Sequence, residues 1–251
     1  MKYTKKLTIF TLPIMWTVYF LFELLTGRVN DMATFIGNLG LILLFALCGY
    51  IIYSISQHYA NGLSSQKVII TFLVLMLIDQ GSKLIIKLFF FKNYFVLIKD
   101  FLSFNPIINT DGSWLNARFG TGVSFPLLII INIIALVLFL ELYRYSLNNN
   151  RKSFWADLCF LFIFCGALCS LIDKLFYGGS LDFIGIGNLF IADIKDIYIN
   201  LGIMFFILSI YESGYLTSNE DTTFKEDIQS IRHSLKFAHR DIKRIFMKNK
   251  Q

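Results

Sequence analysis

Residues 123–143 read VSFPLLIIINIIALVLFLELY, a run of 21 residues in which Glu141 is the only charged side chain. A bilayer core of roughly 30 Å takes about 20 apolar residues as a helix, whereas a helix packed on a soluble core would carry a polar stripe. This segment therefore crosses a membrane, and comparable runs flank it. They cover Leu7–Thr26, Phe35–Gln57, Val68 to about Asp79, Phe154 to about Tyr177 and Ile197 to about Tyr215. The sequence predicts an all-α membrane protein of about six transmembrane helices. Composition agrees, because 56% of the 251 residues are hydrophobic and only 16% are charged, which excludes an ordinary soluble domain.

The first run follows the basic stretch MKYTKK and has the look of a signal peptide. No small-residue cleavage site follows it, and Glu23 and Arg28 mark its end, so it reads as a retained span. With that basic N-terminus in the cytoplasm, Lys67, the Arg144/Arg151/Lys152 loop and the C-terminal tail fall on the same side. The net charge of +6 is thus a record of topology, and no nucleic-acid partner is expected. Cys48, Cys159, Cys165 and Cys169 lie in apolar runs and read as small buried hydrophobes. His58, His233 and His239 sit in loops or the tail, so no metal site is expected.

After Asp79 the pattern changes. The stretch DQGSKLIIKLFFFKNYFVLIKDFLSFNPIINTDGSWLNARFG mixes short apolar pieces with Asn, Asp, Gly and Pro, which predicts a small extracytoplasmic insert, β-rich and amphipathic, at about 89–120. The tail from Phe224 to Gln251 places Ile228, Ile231, Leu235, Ile242 and Phe246 at helical spacing opposite Lys and Arg, as in an amphipathic helix lying on anionic lipid. The chain divides into two N-terminal helices (1–66), a core (67–218) and a cytoplasmic basic tail (219–251).

Five acids then stand out. Asp79, Asp173, Asp182, Asp193 and Asp196 all fall near the outer ends of spans. An ionised carboxylate costs roughly 2.5–3.5 kcal/mol at a helix centre, which makes such acids functional candidates. Lys83 lies at i+4 from Asp79 and Lys174 directly follows Asp173, so part of the set reads as ion pairs. Asp182 and Asp196 lack such a neighbour, since Lys195 is expected to point elsewhere on the helix. Two carboxyls meeting at a lipid boundary share a proton, as in aspartyl proteases. From the residues alone, a catalytic dyad, a proton- or ion-coupled transport site and structural acids all remain open.

Four segments between Val68 and Leu216 resemble, in order and spacing, signal peptidase II, the bacterial lipoprotein signal peptidase family. LMLIDQGSK is similar to the family's Asp-x-x-x-Lys, matching Asp79 and Lys83. CGALCSLIDKLFYGGSLDFI resembles its GGAxGNxxDR…DF stretch, with Asp173, and with Asp182 at the first catalytic aspartate. The second catalytic aspartate, which ends an FNxAD motif followed by Ile and Gly, aligns on Asp196 with Ile199 and Gly202 in register; this puts Asp193 where the family has Asn. Aligning on Asp193 instead keeps the Ala-Asp dipeptide. The family's Asn-x-Gly-Ala-Ala-Phe segment is matched loosely in NTDGSWLNARFG, by Asn109 or Asn116. Ser170 and Lys174 replace the family's Asn and Arg.

The resemblance implies an aspartic endopeptidase of the bacterial cytoplasmic membrane that removes signal peptides from diacylglyceryl-modified prolipoproteins on the extracytoplasmic side. It implies Asp182 and Asp196 as the catalytic acids, no cofactor, and a monomer whose partners are lipidated prolipoproteins and membrane lipids. Asp79, Lys83, Asp173 and Lys174 would order the helix ends, and Asn109, Asn116, Ser170 and Asp193 would line the site. The rival expectations are a divergent or inactive homologue that binds lipidated peptides, and a small proton-coupled transporter.

Overall fold

The computed structural model describes residues 2–59, 61–149, 152–214 and 224–248. Arg151 of the basic loop, residues 219–223 of the tail and Gln251 lie outside them. Among the described residues six helices are long and apolar enough to span a bilayer: α1 (Lys2–Leu25), α2 (Met32–Ser56), α3 (Ser65–Ile85), α5 (Phe125–Asn148), α6 (Phe154–Ile172) and α7 (Ile194–Glu212). A short α4 (Trp114–Phe119) precedes α5, and α8 (Phe224–Lys248) forms the tail. The chain is a multi-pass membrane protein.

The helices pack by what their sequences omit. On α6 and α7, Gly166 and Gly202 face the opposing helix, and a Cβ on Gly166 would sit 2.7 Å from Ile199 Cγ1. Gly202 is pressed as closely on Ile163. Without those two side chains the helices approach until Leu161, Met204, Phe205 and Leu208 close a core with Leu12 of α1 and Trp155. At the end of this core beside the α2–α3 connection, labelled the inner end, Asp157, fully buried, accepts hydrogen bonds from Leu63 N (2.6 Å) and Tyr143 Oη (2.7 Å). The tail docks on α5 through Arg144–Asp241 (2.8 Å) and an edge-on pair of Tyr145 with Phe237.

Helix α3 departs from the sequence reading. It does not stop near Asp79 but runs on to Ile85 and through a π-helical turn, Ile86–Phe90. The reason is electrostatic: Lys83 lies 2.9 Å from Asp79, so the charges that suggested an exit from the membrane balance each other inside the helix.

At the opposite end of the bundle, labelled the outer end, stands a four-stranded antiparallel sheet in the order β1 (Phe95–Ile98), β2 (Leu102–Asn109), β3 (Ser180–Ile186), β4 (Phe190–Ala192). Half of it comes from the insert. The other half comes from the α6–α7 connection, which the sequence reading left as a polar stretch. Both turns of the sheet rest on the N-terminal hairpin. The β1–β2 turn meets α2, where Thr34 Oγ1 donates to Asp100 O (3.3 Å) and Gly37 lies against the Phe101 ring. At the β3–β4 turn, Arg28 donates to Asn188 O and Leu189 O at 2.9 and 2.6 Å. Beside α3, an exposed apolar rim runs from Phe89 through Tyr94 and along the whole of β1.

Candidate active site

Strand alternation sorts the side chains of β3. Leu181 and Phe183 turn to an apolar cluster with Ile86, which leaves Ser180 and Asp182 on the opposite face. The register pairs Asn109 with Ser180 and Ile107 with Asp182, so Asn109 lies diagonal to Asp182 across β2 and β3. Its Nδ2 donates to Asp182 Oδ2 at 2.8 Å. Gly179 permits this closeness, because a Cβ there would stand 2.7 Å from Asn109 O. Ser180 Oγ donates to Asp182 Oδ1 at 2.5 Å.

The third acid arrives as a helix cap. Asp193 is extended (φ −131°, ψ −173°) and caps α7: its carboxylate accepts from Asp196 N at 3.2 Å, while Asp196 Oδ2 accepts from Asp193 N at 3.1 Å. This reciprocal box fixes both carboxyls relative to one helix end. Oxygens of Asp182, Asp193 and Asp196 all lie within 4.8 Å of one another. Such a trio has the donor set for a cation, yet ammonium groups already stand there. Lys195 Nζ lies 2.6 Å from Asp193 Oδ2 and 3.7 Å from Asp182 Oδ1, and Lys83 Nζ lies 2.6 Å from the same Asp193 oxygen. A divalent ion would have to displace both, so the trio does not fit one.

Lys83 also reaches Asp173 (2.7 Å), which Lys195 approaches at 3.4 Å. Asp79, Lys83, Asp173 and Asp193 are 0% exposed, so the centre of the network is sealed from bulk solvent. Five carboxyls face three ammoniums, which leaves an excess of negative charge and makes a retained proton the cheapest way to balance it. Burial pushes the Asp182 carboxyl above its ordinary range; Lys195 opposes the rise, and Asp193 adds to it. Burial acts the same way on Asp193, but Lys195 and Lys83 together more than offset it and hold that carboxyl below its ordinary range. Asp193 is therefore a fixed anion with its oxygens taken up, while Asp196 is half-buried and closer to outside water.

Three expectations change. Lys195 does not point away: it is 6% exposed and lies at the centre of the acids. A helical wheel misplaces it because Asp193 is a cap outside the helix, and a four-carbon stem in the first turn folds back over the helix end. Lys174 does not pair with its neighbour Asp173; its Nζ donates to Ser170 Oγ (2.6 Å) and lies 3.5 Å from Ser170 O. Ser170 also accepts from Asn132 Nδ2 at 3.1 Å. Asn116 stands away from the acids and ties the loop before α5, donating to Asp111 O and Val123 O at 2.9 and 2.8 Å. Ser180 and Lys195 are the site residues the sequence reading passed over. The i+2 spacing of Ser180 from Asp182 on a strand was the one available signal.

A family model described as signal peptidase (SPase) II matches residues 71–212. The lipoprotein signal peptidase of Fusobacterium nucleatum subsp. nucleatum is 30% identical over 150 residues, covering 56% of this chain and 83% of the relative. A solved structure described as a bacterial membrane enzyme, determined by the in meso method at 2.3 Å, is 21% identical with a TM-score of 0.51. That likeness covers 66% of this chain and 99% of the other, and at this identity it speaks for the fold alone. Helices α1 and α2 lie before the residues matched by the family model.

Proposed function

The chain belongs to the signal peptidase II family, and from that membership we propose that it removes signal peptides from lipid-modified prolipoproteins with Asp182 and Asp196 as its catalytic pair. The observation that supports the pairing is the unequal wiring of the three clustered acids. Asp193 is fully shielded and held by two lysines, whereas Asp182 faces it across the strand and Asp196 keeps one oxygen free of its capping bond.

In the proposed reaction Asp182 is the carboxylate, oriented by Asn109 and Ser180. It takes a proton from a water molecule while that water attacks the scissile carbonyl carbon. Asp196 enters protonated and donates to the carbonyl oxygen, so the tetrahedral diol forms without a free oxyanion. Collapse passes one diol hydroxyl proton back to Asp196 as the carbonyl re-forms, breaks the C–N bond and moves the proton from Asp182 to the leaving amine, so both acids return to their starting states. Every group in this sequence comes from one chain, which supports a monomer. The basic residues Lys67, Arg144 and Lys152 stand at the end opposite the acids, which supports placing the site on the outer side of the bacterial cytoplasmic membrane. Family membership disfavours the transporter and the inactive-binder readings.

The test is cleavage of a lipidated lipobox peptide by the full chain in nanodiscs. Wild type should cut just before the lipidated Cys, and Asp182→Asn and Asp196→Asn should not. No cleavage by wild type, or full cleavage by Asp196→Asn, overturns the proposal.

A further inference from the structure

The three buried lysines among the described residues are not equivalent. Lys83 is committed to Asp79, Asp173 and Asp193 inside the bundle. Lys174, at the motif's Arg position, is turned to Ser170 and makes no ion pair within 4 Å among the described residues. Lys195 alone touches the proposed dyad: it hydrogen-bonds Ser180 Oγ, lies 2.6 Å from Asp193 and 3.7 Å from Asp182. It stands one residue before Asp196, where the resembling motif has Ala.

Resting on the peptidase reading above, we propose that Lys195 is a positioning residue of the cleavage reaction: bridging Asp193 and Asp182, it holds Asp182 as the dyad's carboxylate and leaves the proton on Asp196. Its placement makes the two catalytic acids unequal. Asp182 lies within ion-pairing reach of the ammonium, and Asp182 and the ammonium also share Ser180 as a common hydrogen-bond partner. Asp196 has no ion pair to Lys195 within 4 Å among the described residues, and its Oδ2 is spent on the α7 cap. The proton that balances the excess charge therefore settles on Asp196, where a substrate carbonyl needs a donor. The other charged groups facing Lys195 are Lys83 from α3, Asp173 and Lys174 from the end of α6, and Asp193 at the cap of α7. Asn109 contributes a neutral donor from β2.

The experiment is the pH profile of kcat and KM for the lipidated peptide in nanodiscs, on wild type, Lys195→Met and Lys195→Arg. The sign is fixed: a cation beside carboxylates favours their charged forms, so its removal raises the pH at which both acids titrate. Lys195→Met should move both limbs of the profile alkaline by about one pH unit or more and lower kcat at neutral pH about tenfold, with KM changed by less than about twofold. Lys195→Arg should restore the limb positions while recovering only part of kcat, because the planar fork does not reproduce a compact ammonium. Limbs that stay at wild-type pH in Lys195→Met, with kcat falling only as far as the folded fraction falls, overturn the proposal. If Lys195→Met alone does not fold, Asp173→Asn compared with Asp173→Asn/Lys195→Met removes one charge of each sign and reads the same displacement. Wild type that fails to cleave at all would overturn the peptidase reading, which separates the two failures.

Discussion

Both ends of the helix bundle bury aspartates, and they use them in opposite ways. At the inner end Asp157 is satisfied by neutral donors, a backbone N–H and the Tyr143 phenol, and nothing about it needs to change during a reaction. At the outer end Asp79, Asp173, Asp182, Asp193 and Asp196 are set against lysines that do not fully balance them. Burial alone therefore says little about an acid's role. Its partners, and whether they leave room for a proton, carry the distinction.

That contrast can be broken by removing one oxygen's charge at each end. The largest effect is expected for Asp182→Asn and Asp196→Asn, which should lower turnover of the lipidated peptide about a thousandfold or more, measured as initial rate per folded molecule. The thermal stability of Asp182→Asn should stay level or rise, because it relieves repulsion with Asp193, and that of Asp196→Asn should stay level, because the carboxyl it replaces is already neutral. Asp193→Asn should act on folding first: it strips Lys83 and Lys195 of a shared anion and should cost about 3–5 kcal/mol, read as a loss of thermal stability in detergent. At the inner end Asp157→Asn should behave the other way round from Asp182→Asn, with about 1–3 kcal/mol of stability lost and turnover per folded molecule kept. Tyr143→Phe removes one of the two donors and should cost about 1 kcal/mol in the same measurement.

A pH titration sharpens the same comparison. Burial raises the pH at which Asp182 ionises despite Lys195, and its charged form is the required one, so turnover should fall on acidification at a pH above the ordinary aspartate value of about 3.9. An acid limb at or below that value would place the working carboxylate elsewhere.

Much of this was legible in the chain. The six spans follow from apolar length, and the Asp79–Lys83 pair follows from helical spacing. The β3 and β4 strands were not legible, because Gly178, Gly179, Gly185 and Gly187 interrupt a short segment that gains strand form only by pairing with β2. Lys195 was missed for a related reason: periodicity describes residues inside a helix, and this side chain works from its first turn, over a cap that is not helical. Glu23 was also opaque in the sequence. It is 0% exposed between Arg28 (3.3 Å) and Arg118 (3.4 Å), and the second of these partners comes from 95 residues further along.

The apolar rim of Phe89, Tyr94 and β1 bears on how substrate arrives. Surface of that kind at the end of α3 belongs in acyl chains rather than in water, so the sheet is immersed along its β1 flank. A peptide tethered by diacylglycerol would then approach by lateral diffusion in two dimensions. Turnover would follow the mole fraction of substrate in the leaflet, and diluting the vesicles into more buffer would leave the rate per enzyme where it was.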